Sequence, residues 1–304
     1  MTTSLDILDT LDFPAAPAAP RAGGVLASGY RRLAAVCEAL DVQVAGSGDT
    51  AAGTWVTGAE LAERPEALEA FIAAESTRIR ERHGLAPRPD VAASRALHGY
   101  LWSVSLLMSG SWHLDRRVPR IRPAEIRLNL TTGVHEVTPG SGFACLPDDP
   151  AVGAPPAGAA LPHVRAYGMR VVGHEEALRA ELRAAITDHV RPLLAAIGPY
   201  TRRGPRALWG MAGDDLVSGI WYLGRVLGQE ERAVSAATRL LPTAIAPFPA
   251  GADFRRLAGR EGRQYPTRTR SGCCLYYALD AARPCGTCPR TSDAERVRRL
   301  EEQA

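Results

Sequence analysis

Apolar residues recur at helical spacing through the first third of the chain. Between Val25 and Val44, the side chains of Leu33, Val36, Cys37 and Leu40 fall on one face, which predicts a helix. Thr57 to His83 carries the same signal as a set of helices. Pro65 is placed for a first turn, where its missing N–H is no loss, and Gly84 is placed as a stop. Asp90 stands where it could cap a long helix running through Trp102 and Leu107. Inside that helix, Ala96 to Leu114 contains no Asp, Glu or Arg. His98, His113, Gly99, Gly110 and four serines interrupt the run, which makes it a poor bilayer span and predicts a buried core helix. The two histidines read as core or helix-end residues.

The period changes after Pro119. Ile126, Leu128 and Leu130 alternate with Arg127 and Asn129, Thr132-Gly133 supplies a turn, and Val134 to Val137 can return, so a β-hairpin is expected. Residues 147–162 are rich in Pro, Gly and Ala and read as a loop or linker. His163 to Val172 is a candidate strand. Helical spacing resumes over Glu175 to Ile197, with Pro192 expected to kink or break it, and continues over Leu208 to Leu227 and Glu230 to Leu241. Pro242 to Pro266 has no clear period and reads as irregular. The acidic doublets Glu175-Glu176 and Asp214-Asp215 are expected near helix N-termini, where the helix dipole favours them. The fold expected is α+β: a leader over 1–24, a helix-rich body over 25–265 with a small central antiparallel sheet, and a short C-terminal cysteine module with a helical tail over 266–304.

Composition adds two things to that picture. Apolar residues are 46% and charged residues 23% of 304, as in ordinary globular chains, and a net charge of +3 gives no reason to expect nucleic acid. Every one of the 36 basic residues is arginine, whose planar guanidinium binds carboxylates in a fork and keeps its charge when buried. The first 25 residues hold three aspartates and no early basic run, which reads as a disordered leader and not a secretory signal. The expected location is cytoplasmic, with at most peripheral membrane association. In a reducing compartment, clustered cysteines point to metal or redox chemistry before disulfides.

The cysteines are clustered. Cys37 and Cys145 stand alone and read as buried, inert thiols. The other four, Cys273, Cys274, Cys285 and Cys288, form the pattern C-C-x10-C-x2-C. Four thiolates suit either a [2Fe–2S] cluster or a structural zinc. The second pair has the spacing of a metal knuckle. The first pair discriminates, because adjacent side chains of extended backbone point to opposite faces and converge poorly on one small tetrahedral ion. A longer two-iron rhomb gives such ligands more room, so the doublet favours iron–sulfur.

The run Arg270-x-x-Cys273-Cys274-Leu275-Tyr276-Tyr277, followed by Cys285-Gly-Thr-Cys288-Pro289, resembles the C-terminal signature of the FhuF-type ferric-siderophore reductases. All four cysteines match. The resemblance covers roughly residues 264–290; upstream it extends only to length, helix content and tryptophan-bearing helices such as that around Trp209. It implies that the four cysteines hold a [2Fe–2S] cluster. It also implies an iron–sulfur oxidoreductase that releases Fe(II) from a ferric siderophore, hydroxamates among the candidates. Nucleotide, flavin and hydrolase signatures are missing from the sequence, so an external electron donor such as a ferredoxin is expected. Arg268, Arg270, Arg283 and Arg290, with Arg255, Arg256, Arg260 and Arg263 before them, could tune the cluster or dock the donor. Tyr276 and Tyr277 could shield the cluster or pack the module onto the body. Trp102, Trp112, Trp209 and Trp221 could line a substrate cleft. The alternatives are a [2Fe–2S] electron carrier or redox sensor in another pathway, and a structural-zinc protein that binds a partner.

Overall fold

The computed structural model describes residues 22–46, 53–140, 142–152, 168–280 and 284–302. The chain begins with α1 (Ala22–Val36), β1 (Val42–Val44), β2 (Trp55–Thr57), α2 (Gly58–Glu63), α3 (Pro65–His83) and α4 (Pro89–Asp115). β3 (Val118–Pro119), β4 (Ile126–Asn129), β5 (His135–Val137), β6 (Phe143–Cys145) and β7 (Met169–Val171) follow. Then come α5 (Glu175–Thr201), α6 (Pro205–Val226), α7 (Glu230–Leu240), β8 (Arg255–Ala258), β9 (Gln264–Thr267) and α8 (Asp293–Glu302). The protein is α+β, with 58% of the described residues helical.

Local chemistry sets several of these boundaries. The Thr57 hydroxyl accepts from the Glu60 N–H at 3.1 Å while the Glu60 carboxylate accepts from the Thr57 N–H at 2.8 Å, a reciprocal cap that starts α2. Pro65 opens α3, and Gly84, at φ 66°, closes it with its N–H on the Arg80 carbonyl. Asp90 does not cap α4: that helix starts one residue earlier, on Pro89, and the Asp90 carboxylate pairs with Arg88. Pro192 does not break α5. It lies on the exposed face, and buried Val190, Leu193 and Leu194 hold the helix against the core on either side of it.

α4 is the central element, buried along most of its length and packed against α1, α3, α5 and α6. Among the described residues no helix is long and apolar enough to cross a membrane. The expected hairpin is present, with Ile126 opposite Val137 and Gly133 at φ 84° in the turn. The buried Asn129 carboxamide organises this loop by accepting the N–H groups of Thr131 and Thr132.

The strands depart from expectation in three places. The sheets are mixed, not purely antiparallel: one has the order β1-β5-β4-β2 with β1 parallel to β5, and a second has the order β3-β6-β7 with β6 parallel to β7. Val42–Val44 is a strand and not the end of a helix, because pairing with β5 claims its backbone. The stretch read as irregular before Pro266 contains the antiparallel β8–β9 hairpin, with Arg255 opposite Thr267. Most of the leader, residues 153–162 of the 147–162 loop and the start of the strand expected at His163 lie outside the described residues.

His113, His135 and His189 are buried, and burial pushes each imidazole down to about 4. His189 Nδ1 lies 2.7 Å from the Ile121 carbonyl and Nε2 lies 2.8 Å from the Tyr100 hydroxyl; the carbonyl favours the proton, and burial outweighs it. An unfolded histidine takes up its proton near pH 6.5, and these cannot until the pH is far lower. Their contribution to stability is therefore complete above about pH 6.5 and declines as the pH falls toward 4. Urea unfolding followed by helical circular dichroism should lose roughly 1.4 kcal/mol per pH unit for each histidine in that window. His189→Gln should remove one proton's share of the slope; a flat profile between pH 6.5 and 5 would refute the assignment.

Candidate functional site

β9 delivers the chain to the cysteine module, and the first residues beyond it are bolted to the middle of α6. Asp214 and Asp215 are not near a helix N-terminus, because α6 begins at Pro205. They lie mid-helix and are fully buried. The Arg268 Nη2 donates to Asp214 Oδ1 at 2.6 Å, and Arg270 Nη2 donates to Asp215 Oδ1 at 2.8 Å. Asp214 also accepts the backbone N–H groups of Ser271 at 3.1 Å and Gly272 at 2.6 Å. Asp215 takes a further contact from His98 Nδ1 at 2.9 Å. Burial pushes the Asp215 carboxyl up, but His98 and Arg270 outweigh it and hold the group below its ordinary value. Gly272 is required here: a Cβ would stand 2.6 Å from the Met211 amide nitrogen, so only glycine lets the loop lie on the helix.

The two halves of the module are then tied together. The Arg270 N–H donates to the Thr287 carbonyl at 3.0 Å, placing the strand before Cys273 beside the turn between Cys285 and Cys288. That turn closes with the Cys288 N–H on the Cys285 carbonyl at 2.9 Å. Arg296 of α8 is buried behind it and donates to the carbonyls of Gly286 at 2.5 Å and Cys288 at 2.9 Å. From the other side, Arg203 Nη1 donates to the Cys273 carbonyl.

The sulfurs themselves sit between these supports. Cys274 and Cys288 are buried, while Cys273 and Cys285 are half-buried. The Sγ atoms of Cys274 and Cys285 are 3.6 Å apart and share one hydrogen bond. That bond, with Arg270 and His98 nearby, outweighs burial and pulls Cys274 down to about 4, while the same pairing and burial push Cys285 up. Two thiolates on one tetrahedral metal with bonds of about 2.3 Å are separated by about 3.8 Å, so this pair fits two ligands of a single metal. Cys273 and Cys288 follow on the same two segments. As placed, the four sulfurs make one close pair and not a closed set: among the described residues no three His, Cys, Asp or Glu side chains are grouped to hold a metal ion.

The other expected residues divide. Arg268 and Arg270, 2% and 5% exposed, are internal braces and cannot dock a partner. Tyr276 and Tyr277 pack, with Leu275 and Leu279, on Ile79 and Val91 of the body, under Arg95 and Arg290 respectively. Arg283 lies outside the described residues. Arg255, Arg256 and Arg260 pair with Asp293, Glu231 and Glu301, and Arg263 covers Tyr265. Trp102 and Trp221 line a small cavity of about 210 Å³ beside His98, Arg270 and Thr287, whereas Trp112 is core. Cys37 and Cys145 are buried, and burial pushes both thiols up, Cys145 to about 12. Sequence reasoning did not find the roles of Asp214, Asp215, His98, Arg203 and Arg296. The one available signal was two adjacent acids inside an otherwise apolar helix, matched by Arg268-x-Arg270.

No protein-family model matches the chain, and a comparison with curated proteins found no match.

Asp214→Asn keeps the shape but leaves Arg268 buried without its counter-charge. It should cost about 3–5 kcal/mol in urea unfolding and expose residues 264–290 to limited proteolysis. Adding Arg268→Met should recover a large part of that loss, because it removes the orphaned charge. Wild-type stability and protease resistance in the single variant would rule out the bracing role.

Proposed function

We propose that the protein is a cytoplasmic ferric-siderophore reductase whose Cys273, Cys274, Cys285 and Cys288 hold a [2Fe–2S] cluster. The observation that carries this reading is the pair of buried Cys274 and half-buried Cys285 at 3.6 Å, set beside Arg270 within the C-C-x10-C-x2-C run. The doublet favours a two-iron group over one small ion, and the resemblance of that run supplies the substrate class. When bound, the cluster supplies one electron at a time.

The chain's own residues account for the rest. Arg270 holds positive charge against Cys274 and Cys285, which favours the more negative reduced state. Tyr276, Tyr277 and Leu275 pack one flank of the loop against the body and exclude water there. The half-buried Cys273 and Cys285 leave an edge near the surface, where an electron can leave. Ferric iron bound by hard anionic oxygens gains that electron, becomes Fe(II), and is held more weakly. No proton need move and no protein bond forms. A ferredoxin-type donor or dithionite returns one electron per turnover.

Anaerobically purified protein should contain two irons and two sulfides per chain and be bleached by dithionite, with an EPR signal in the reduced state. Cys274→Ser should abolish that spectrum, while helical circular dichroism persists, because the Asp–Arg bracing does not depend on the sulfurs. One zinc per chain and no sulfide would establish the structural-zinc alternative. A cluster that releases no Fe(II) from ferric chelates above the Cys274→Ser control would establish a carrier or sensor.

A further inference from the structure

The turn between α5 and α6 borders a groove of about 520 Å³ lined by Arg191, Leu194, Arg202, Arg203, Leu208 and Trp209. Leu194 and Leu208 are buried and form an apolar floor, and Arg191 lies over the Trp209 ring, 5.5 Å from its centre. Arg206 stands on the same turn. Most arginines of this chain are in ion pairs, but among the described residues Arg191, Arg202, Arg203 and Arg206 have no carboxylate partner. Arg203 lines the groove and also donates to the Cys273 carbonyl, so an occupant would be one side chain away from the cysteine loop.

We infer that this groove binds an anionic, oxygen-rich metal chelate and selects negatively charged chelates over neutral or cationic ones. The identity of the chelate rests on the reductase reading; the charge selection rests on the groove. Guanidinium groups recognise planar anionic oxygens, and an indole wall accepts an apolar or aromatic ligand body. The volume lies within the roughly 300–1,000 Å³ of small-molecule sites, whereas the cavity of about 210 Å³ beside His98 falls below it. The concave shape and buried leucine floor favour a small molecule over an acidic protein, which would sit on a flatter face.

The test uses redox-inert gallium(III) complexes of three chelators, a triply negative tris-catecholate, a neutral tris-hydroxamate and a singly positive ammonium-bearing hydroxamate. Each is titrated calorimetrically into the full-length protein. The negative complex should bind tightest and weaken with added salt. Arg191→Gln with Arg202→Gln, both exposed positions, should weaken it about tenfold or more and leave the neutral complex nearly unchanged. Equal affinity for all three complexes, or no loss in the double variant, would overturn the proposal. So would a variant that keeps its chelate affinity but loses electron uptake from a ferredoxin, since the groove would then be a protein-docking face. Single-turnover reduction of the matching ferric complexes by dithionite-reduced protein is scored separately. Reduction with no change in the double variant sinks the groove and leaves the reductase. Charge-selective gallium binding without ferric reduction supports the groove and sinks the reductase.

Discussion

The cysteine module is placed by two carboxylates in the middle of a buried helix. Asp214 and Asp215 are adjacent on α6 and diverge around its surface, so one reaches Arg268 and the amides of Ser271 and Gly272, and the other reaches Arg270 and His98. Taking these charges out of water is costly, and one Asp–Arg contact alone would not offset it. Asp214 accepts two backbone amides besides its arginine, and Arg268 also donates to the Ala252 carbonyl and the Ser218 hydroxyl. The result is a polar network with few unmet valences, and it has one arrangement. The extended chain sends Arg268 and Arg270 to one face and Thr269 to the other, where it meets Arg255. A slip of one residue would put both charges on the wrong side.

That constraint gives the all-arginine composition a local use. Arg270 bridges Asp215 and the Gly272 carbonyl, Arg268 holds three acceptors, and Arg296 holds the Gly286 and Cys288 carbonyls. Each uses the breadth of a guanidinium, where a lysine would offer a single point of charge. With Arg203 on the Cys273 carbonyl, cations close around the thiols from several directions. At Cys274 these surroundings favour the thiolate, the form that ligation of any metal requires.

The legible parts of the fold were those set by neighbours in sequence. Pro65 and Gly84, and the Thr132-Gly133 turn, carry their own instructions, and the helix and hairpin they bound are where the pattern put them. The misread parts depend on partners far away in the chain. Val42–Val44 is a strand because β5 lies beside it, α5 passes through Pro192 because its buried face is held, and β8 and β9 form only by meeting each other. The candidate site divides in the same way. The four cysteines were visible from spacing alone. Their supports were not, because nothing near Asp214 in sequence marks it as the acceptor for a loop more than fifty residues later.

This division bears on what the metal would have to do. In small zinc modules the ligands themselves fold the chain, and removing the metal unfolds it. Here the loop before Cys273 is fixed by Asp214, Asp215 and Gly272, and the turn before Cys288 by Arg296 and the Arg270–Thr287 contact, none of which involves sulfur. The scaffold therefore supplies the positions, and the sulfurs are left to respond to what they bind. Cys273 and Cys274 lie on a backbone held at Gly272 and the Cys273 carbonyl on one side and by the packing of Leu275 on Ile79 and Val91 on the other, while Cys285 and Cys288 ride on one short turn. A metal group entering such a frame need only draw in side chains. Its binding free energy is then not consumed in folding the loop, and a change in its redox state need not disturb the body to which the loop is attached.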